Sequence, residues 1–155
     1  MSKRGCWIGY GILLAAFVVV FLLIQLVPYG RNHTNPPGAS QPKWNSLQTL
    51  ALARRACFDC HSNETIWPWY SNIAPVSWLV QHDVDEGRSR LNFSTWAPSA
   101  TTTGRGGERG VGDIAETINR GSMPPFYYLL EHPAAHLTPA EKQQLILGLQ
   151  TSLGQ

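Results

Sequence analysis

The chain has 155 residues, of which 43% are hydrophobic and 14% charged, with a formal net charge of +2. That is room for one domain plus an anchor. Lys3 and Arg4 supply the positive excess; from Pro28 onward ten basic side chains stand against ten acidic ones. This balance excludes the basic footprint of a nucleic-acid binder and strong attraction to anionic lipid.

Cys6 to Val27 reads CWIGYGILLAAFVVVFLLIQLV, with Gln25 its only strongly polar member. As a helix it extends about 33 Å, enough for a hydrocarbon core of about 30 Å. The run is too long for a cleaved signal peptide, and Val27-Pro28-Tyr29-Gly30 is a poor cleavage site. Residues 1–27 therefore read as a cytoplasmic N-terminus and a single transmembrane signal anchor. Lys3 and Arg4 keep the N-terminus inside, so the rest is expected on the extracytoplasmic, periplasmic face of a bacterial cytoplasmic membrane. Residues 28–43, with four prolines and no apolar periodicity, read as a linker. Extended, it reaches at most about 50 Å, which would let the domain stand off the membrane and swing.

Residues 44–155 form the predicted domain. Asn45 or Ser46 caps a helix to about Ala56, with Leu47, Leu50, Ala51, Leu52, Ala53 and Ala56 as its apolar positions. The segment after His61 is dense in aromatics, and Trp67, Trp69, Tyr70 and Trp78 are core candidates. A helix is expected from Ser77 to about Leu91, with Asp83, Asp85, Glu86, Arg88 and Arg90 on its wet side. Asn92 to Val111 reads as a flexible surface loop; its glycine-rich piece, within 101–112, lacks the Gly-Lys-Ser/Thr of a phosphate loop. Asp113 and Glu116 form a capping box for a helix to about Arg120, which Gly121 ends in a left-handed conformation. Thr138-Pro139-Ala140-Glu141 starts a last helix running through Leu149.

The decisive motif is Cys57-Phe58-Asp59-Cys60-His61. Two cysteines two apart, followed at once by histidine, form the attachment pattern for c-type haem. Two thiols add to the two vinyl groups of the macrocycle, and the adjacent imidazole becomes the proximal iron ligand. A thioredoxin-like dithiol would expect a nearby βαβ pattern, which is not visible. A structural zinc site needs four ligands, and the only other cysteine is Cys6, in the apolar run. Met123, the only methionine besides the initiator, lies in Arg120-Gly-Ser-Met-Pro-Pro125. Two prolines stiffen the backbone behind it. Its thioether is the candidate sixth ligand, with His132 and His136 as competitors; His82 and His33 are weaker ones. Thioether ligation raises the potential relative to bis-histidine.

A helix, Cys-x-x-Cys-His, a Met-Pro loop and a closing helix look like a class I c-type cytochrome. The stretch CFDCHSNETIWPWYSNIAPVSWLVQHDVDEGRSRLNFSTW, with RGSMPPFYY and LTPAEKQQLILGL, resembles more closely the bacterial haem-binding domain family of small mono-haem cytochromes. The resemblance implies an all-α, cytochrome c-like helical haem domain, here tethered to one transmembrane helix. It implies one covalently attached haem c held by Cys57 and Cys60, with iron ligated by His61 and Met123. By the same resemblance a proline carbonyl, Pro75 or alternatively Pro68, accepts the proximal imidazole N–H. Arg88 and Arg90 are possible propionate partners, although a solvated helix face is the plainer reading. The expected function is single-electron transfer between transient redox protein partners, with no catalysis and no small-molecule substrate. The alternatives are a haem-based sensor or gas-binding module with a labile sixth ligand, and a haem subunit of a membrane enzyme complex.

Overall fold

The computed structural model describes residues 3–96 and 111–153, and among these it is all-helical. Seven α-helices follow in order: α1 Lys3–Ile24, α2 Leu47–Ala56, α3 Phe58–His61, α4 Val76–Arg90, α5 Val111–Asn119, α6 Phe126–Glu131 and α7 Pro139–Leu153. Short 3-10 turns cover Trp69–Asn72 and Pro133–Ala135. One isolated parallel bridge joins Ser40 and Thr95. Most of the glycine-rich segment lies outside the described residues. The chain divides into two compact units, residues 1–34 with 67–83, and residues 35–66 with 84–155.

The second unit holds the hydrophobic core: Leu52, Ala53, Phe58, Phe93, Ile118, Leu145, Ile146, Leu149 and Leu153. Ser46 caps α2, its hydroxyl accepting the Thr49 N–H at 3.1 Å. The buried stripe of α2 is Thr49, Leu52, Ala53 and Ala56. Leu47, expected in that stripe, is 85% exposed, because it falls one residue off the three-and-four spacing that faces the core. α7 starts as expected: the Thr138 N–H donates to Glu141 Oε2 at 2.8 Å and the Glu141 N–H to Thr138 Oγ1 at 3.2 Å. α5 begins two residues before Asp113, so Asp113 stands in its first turn rather than at its cap. Gly121 has φ +70, as expected. Its N–H reaches the Ile118 carbonyl while the Ser122 N–H reaches Thr117, a Schellman closure of α5.

The first unit contains α1, whose side chains from Trp7 to Leu23 are all exposed. α1 is long and apolar enough to cross a membrane. Beyond it the Gln25 amide pairs in both directions with the backbone of Ala74, donating to its carbonyl at 2.9 Å and accepting its N–H at 3.0 Å. Gly30, at φ +84, lies so close to α4 that a Cβ there would stand 2.6 Å from the Ser77 carbonyl carbon. His33 stacks on Trp67 at 4.6 Å and its Nε2 meets the Ser71 carbonyl at 3.0 Å. The expected core aromatics also differ: Trp69 is 76% exposed, and Trp67, Tyr70 and Trp78 are only partly buried.

Residues 28–43 are irregular, as their prolines require, but they are held rather than free. Besides Gly30 and His33 in the first unit, Asn35 donates to the Thr65 carbonyl at 2.9 Å and the Ala39 N–H to the Ser94 carbonyl at 2.9 Å in the second. Their polar groups find specific partners within each unit.

Two predictions follow from the contacts of α2 with α7. A Cβ on Gly148 would lie 2.5 Å from Thr49 Cγ2 and 2.8 Å from its Cβ. Thr49 is buried and its hydroxyl is engaged by Ser46, so it has little room to yield. Overpacking of about 1–3 kcal/mol then exceeds the helix gain of about 1 kcal/mol, and Gly148→Ala lowers the denaturation midpoint. Separately, the Thr138 N–H and the Arg55 guanidinium hold the Glu141 carboxyl at about 2, against an ordinary 4.5. A carboxyl whose folded value is depressed stabilises the fold above its unfolded value and ceases to as pH falls through the folded one. Glu141→Gln should therefore flatten the loss of stability between about pH 4.5 and about pH 2, read from denaturant unfolding across that range.

Candidate functional site

The Cys-x-x-Cys-His motif forms one helical turn. Cys57 ends α2, its N–H reaching the Ala53 carbonyl at 2.8 Å, and the same residue opens α3. Its carbonyl accepts from Cys60 at 3.2 Å and His61 at 2.8 Å. Residues three apart share a helix face, so both thiols project from the same side of the turn. Neither cysteine forms a disulfide.

Each residue around the thiols is fixed from another element. Phe58 is buried, stacked on Phe93 at 5.5 Å, with Arg54 over its ring at 4.7 Å. Asp59 accepts the Ile66 N–H at 3.1 Å through one carboxylate oxygen and the Tyr128 hydroxyl at 2.8 Å through the other. The His61 carbonyl accepts the Phe93 N–H at 2.8 Å. Arg88, expected on the wet face of α4, instead donates to the Ser62 carbonyl at 2.8 Å and to Thr65 Oγ1 and Asn35 Oδ1, both at 2.9 Å. Arg90 stays on the surface and pairs with Glu86.

The imidazole of His61 is placed by α4. Its Nδ1 lies 3.0 Å from the Gly87 carbonyl and 3.1 Å from the Leu91 carbonyl. Two carbonyls can only accept, so Nδ1 carries the proton and the neutral ring keeps its lone pair on Nε2. Burial lowers the pKa of His61, and the two carbonyls partly oppose this. The proline expected to accept this proton does not: the Pro75 carbonyl takes the amides of Trp78 and Leu79 at the start of α4, and the Pro68 carbonyl takes Ser71. Carbonyls near the start of α4 are taken by its first turn, whereas at its other end the Gly87 carbonyl accepts the Leu91 N–H at 2.9 Å and offers its second lone pair to His61, and Leu91 lies just past the helix.

Gly87 also explains how α4 comes so close. A Cβ there would run into the Cys60 carbonyl group, 2.9 Å from its carbon. A glycine within a helix is disfavoured by about 1 kcal/mol, so its presence is itself a sign of close backbone approach. That sign was available in the sequence. The Asp59–Tyr128 bond was not, because 69 residues separate the pair.

Met123 follows directly on the Schellman closure, its N–H near the Thr117 carbonyl at 3.4 Å, and is 40% exposed. α6 begins three residues later, and its Tyr128 reaches back to Asp59. Cys57, Cys60 and His61 are thus gathered in one turn, while Met123 stands on its own loop, joined to the motif through α6. Of the competing histidines, His132 stacks on Tyr128 at 4.0 Å with its Nδ1 3.1 Å from the Tyr128 carbonyl.

The donor set fits haem. Two thiols on one face, an imidazole with a bare Nε2 and a thioether on a stiff loop are the groups such a macrocycle takes. Burial pushes the Cys57 thiol up to about 12, the opposite of the lowered value that a reactive dithiol requires. Among the described residues, no three or more histidine, cysteine or acidic side chains gather as a metal cluster. Gly87→Ala should displace α4 from the motif. With a backbone carbonyl as the obstacle, overpacking outweighs the helix gain by about 1–2 kcal/mol. A lower melting temperature together with reduced haem content would show the two effects to be one.

A family model for the haem-binding domain matches residues 19–151. No curated protein and no solved structure matches the chain. The matched span contains the Cys-x-x-Cys-His turn, the α4 carbonyls that orient His61 and the Met123 loop, and the chain belongs to the haem-binding domain family.

Proposed function

We propose that this protein is a membrane-anchored, mono-haem c-type cytochrome that carries single electrons outside the cytoplasm. The observation that carries the reading is the orientation of His61: its Nδ1 proton is taken by Gly87 and Leu91, and Nε2 is left bare on the turn that bears both thiols. Cys57 and Cys60 would hold one haem c through thioether bonds, and His61 and Met123 would ligate its iron. Bound there, haem supplies a one-electron iron couple. The chain does the rest. The hydrogen bonds at Nδ1 fix the ring and strengthen the imidazole as a donor. The closure of α5 and the two prolines hold Met123 on a stiff loop, which favours an axial thioether that stays in place. With His61 and Met123 both ligating, the iron would keep no open position for a substrate, so the reading assigns the protein no catalysis of its own.

α1 crosses the cytoplasmic membrane with Lys3 and Arg4 inside, so the haem domain faces the periplasm. Covalent haem attachment takes place on that side. The balanced charge of the domain supports weak, transient docking to redox partners, through an interface below about 1,200 Å².

One observation favours a second reading: Met123 is 40% exposed. A ligand that lets go would make the protein a gas-binding or sensing module. The far-red methionine-sulfur-to-ferric-iron band of the oxidised, low-spin protein separates the two. Electron transfer predicts the band in wild type, its loss in Met123→Ala, and a lower potential with new carbon monoxide binding in that variant. Equal carbon monoxide binding by both proteins would remove Met123 from the ligand set.

A further inference from the structure

The first unit is built inside out. In the segment after the haem motif, the buried positions include Ser71, Ser77 and Gln81, all polar, beside Ala74. The exposed positions interleaved with them are Trp69, Ile73, Val76 and Leu79. A segment facing water has the opposite pattern. No Asp, Glu, Lys or Arg occurs between Glu64 and Asp83, so this surface lacks the charges that ordinarily keep an exposed face wet.

Its position says what covers it. Gln25 is the first residue after α1, and its side chain is bonded in both directions to the backbone of Ala74. Ile73 and Val76 lie one and two residues from Ala74, within about 4–7 Å along the chain. The headgroup layer outside the hydrocarbon core is about 5–8 Å thick on each side. A helix that crosses the bilayer and ends at Ile24 therefore brings this segment into that layer. Trp69 and Tyr29, both exposed, are of the type that belts membrane interfaces, with an apolar ring and a polar tip.

We infer that Trp69, Ile73, Val76 and Leu79, with Leu26 and Tyr29, form a collar around the outer end of α1 that is embedded at the headgroup–acyl boundary of the bilayer. This rests on the reading of α1 as a membrane span. It adds a second lipid contact, far along the chain from the first. Affinity comes mainly from apolar area, since residues 65–82 hold no Lys or Arg and Arg31, near Tyr29, donates to the Gln25 carbonyl.

The test uses the full-length, haem-loaded protein in palmitoyl-oleoyl phosphatidylcholine vesicles. In a Cys6→Ser background, single nitroxide labels are placed at Trp69→Cys, Ile73→Cys, Val76→Cys and Leu79→Cys, and at Leu14→Cys within α1. Haem absorbance reports that each variant is folded, and four collar sites guard against the failure of any one. Accessibility to membrane-soluble oxygen is compared with that to a water-soluble nickel chelate. The collar predicts an oxygen-to-nickel ratio severalfold above that of the free label in buffer, and below that at Leu14. Nickel-accessible collar labels with a lipid-exposed Leu14 would overturn the collar and leave the span standing. Labels shielded from both reagents would overturn it in favour of a protein partner or a second copy. A nickel-accessible Leu14 would overturn the span and the collar together.

Discussion

The close approach of Gly87 to Cys60 is the constraint on which the site depends. Only a residue without a Cβ lets the backbone of α4 lie against the carbonyl of the second cysteine. That proximity brings two carbonyls from the end of α4 to His61 Nδ1. The Gly87 carbonyl also accepts the Leu91 N–H and offers His61 its second lone pair, and carbonyls at the end of a helix carry the negative end of its dipole. They are therefore a ready acceptor for an imidazole proton, and together they decide the tautomer. Thus a backbone packing distance in one element sets the donor atom in another.

The surrounding contacts keep that distance from drifting. Phe58 anchors the turn in the core against Phe93, and Phe93 in turn donates its N–H to the His61 carbonyl. Arg88 leaves the same stretch of α4 and grips Ser62, Thr65 and Asn35. These bonds to a charged donor are about twice as strong as neutral ones, and they tie the irregular segment after the motif to the helix that orients its histidine. Asp59 serves the other side, accepting from Tyr128 of α6. The motif residues between the cysteines are thus structural: one fills the core and one receives the element that follows Met123.

Much of this was legible in the sequence, and the boundary has a physical cause. Local signals held: the Ser46 cap, the Thr138–Glu141 box and the left-handed Gly121 are each decided within one or two turns of chain. What was not legible depends on pairing between distant segments. Pro75 was expected to take the His61 proton on family resemblance, but its carbonyl is absorbed by the first turn of α4. Arg88 looked like a surface residue because its neighbours are charged, and its three partners lie 23 to 53 residues away. The segment from Pro28 to Lys43 looked like a free spacer because irregular, proline-rich sequence does not reveal that its polar groups have partners.

The aromatic-rich stretch failed for a different reason. Trp67, Trp69, Tyr70 and Trp78 were assigned to the core on the rule that large apolar residues go inside. That rule assumes water outside. In the unit that holds Phe58 and Phe93 it works for the large residues: the core is apolar, with Thr49, Ser62, Asn63, Thr65, Ser94 and Ser152 buried beside it. In the unit that holds α1 the buried positions between Ser71 and Gln81 are largely polar, and the large apolar residues are out. The two units share α4, residues 76–83 belonging to one and 84–90 to the other. A single helix thus obeys opposite polarity rules in its two halves: Val76 and Leu79 are exposed, whereas Val84 is buried. No propensity of the residues accounts for that reversal, since valine occurs in both roles. The proposed collar would account for it, with lipid rather than water outside the exposed residues of the first half.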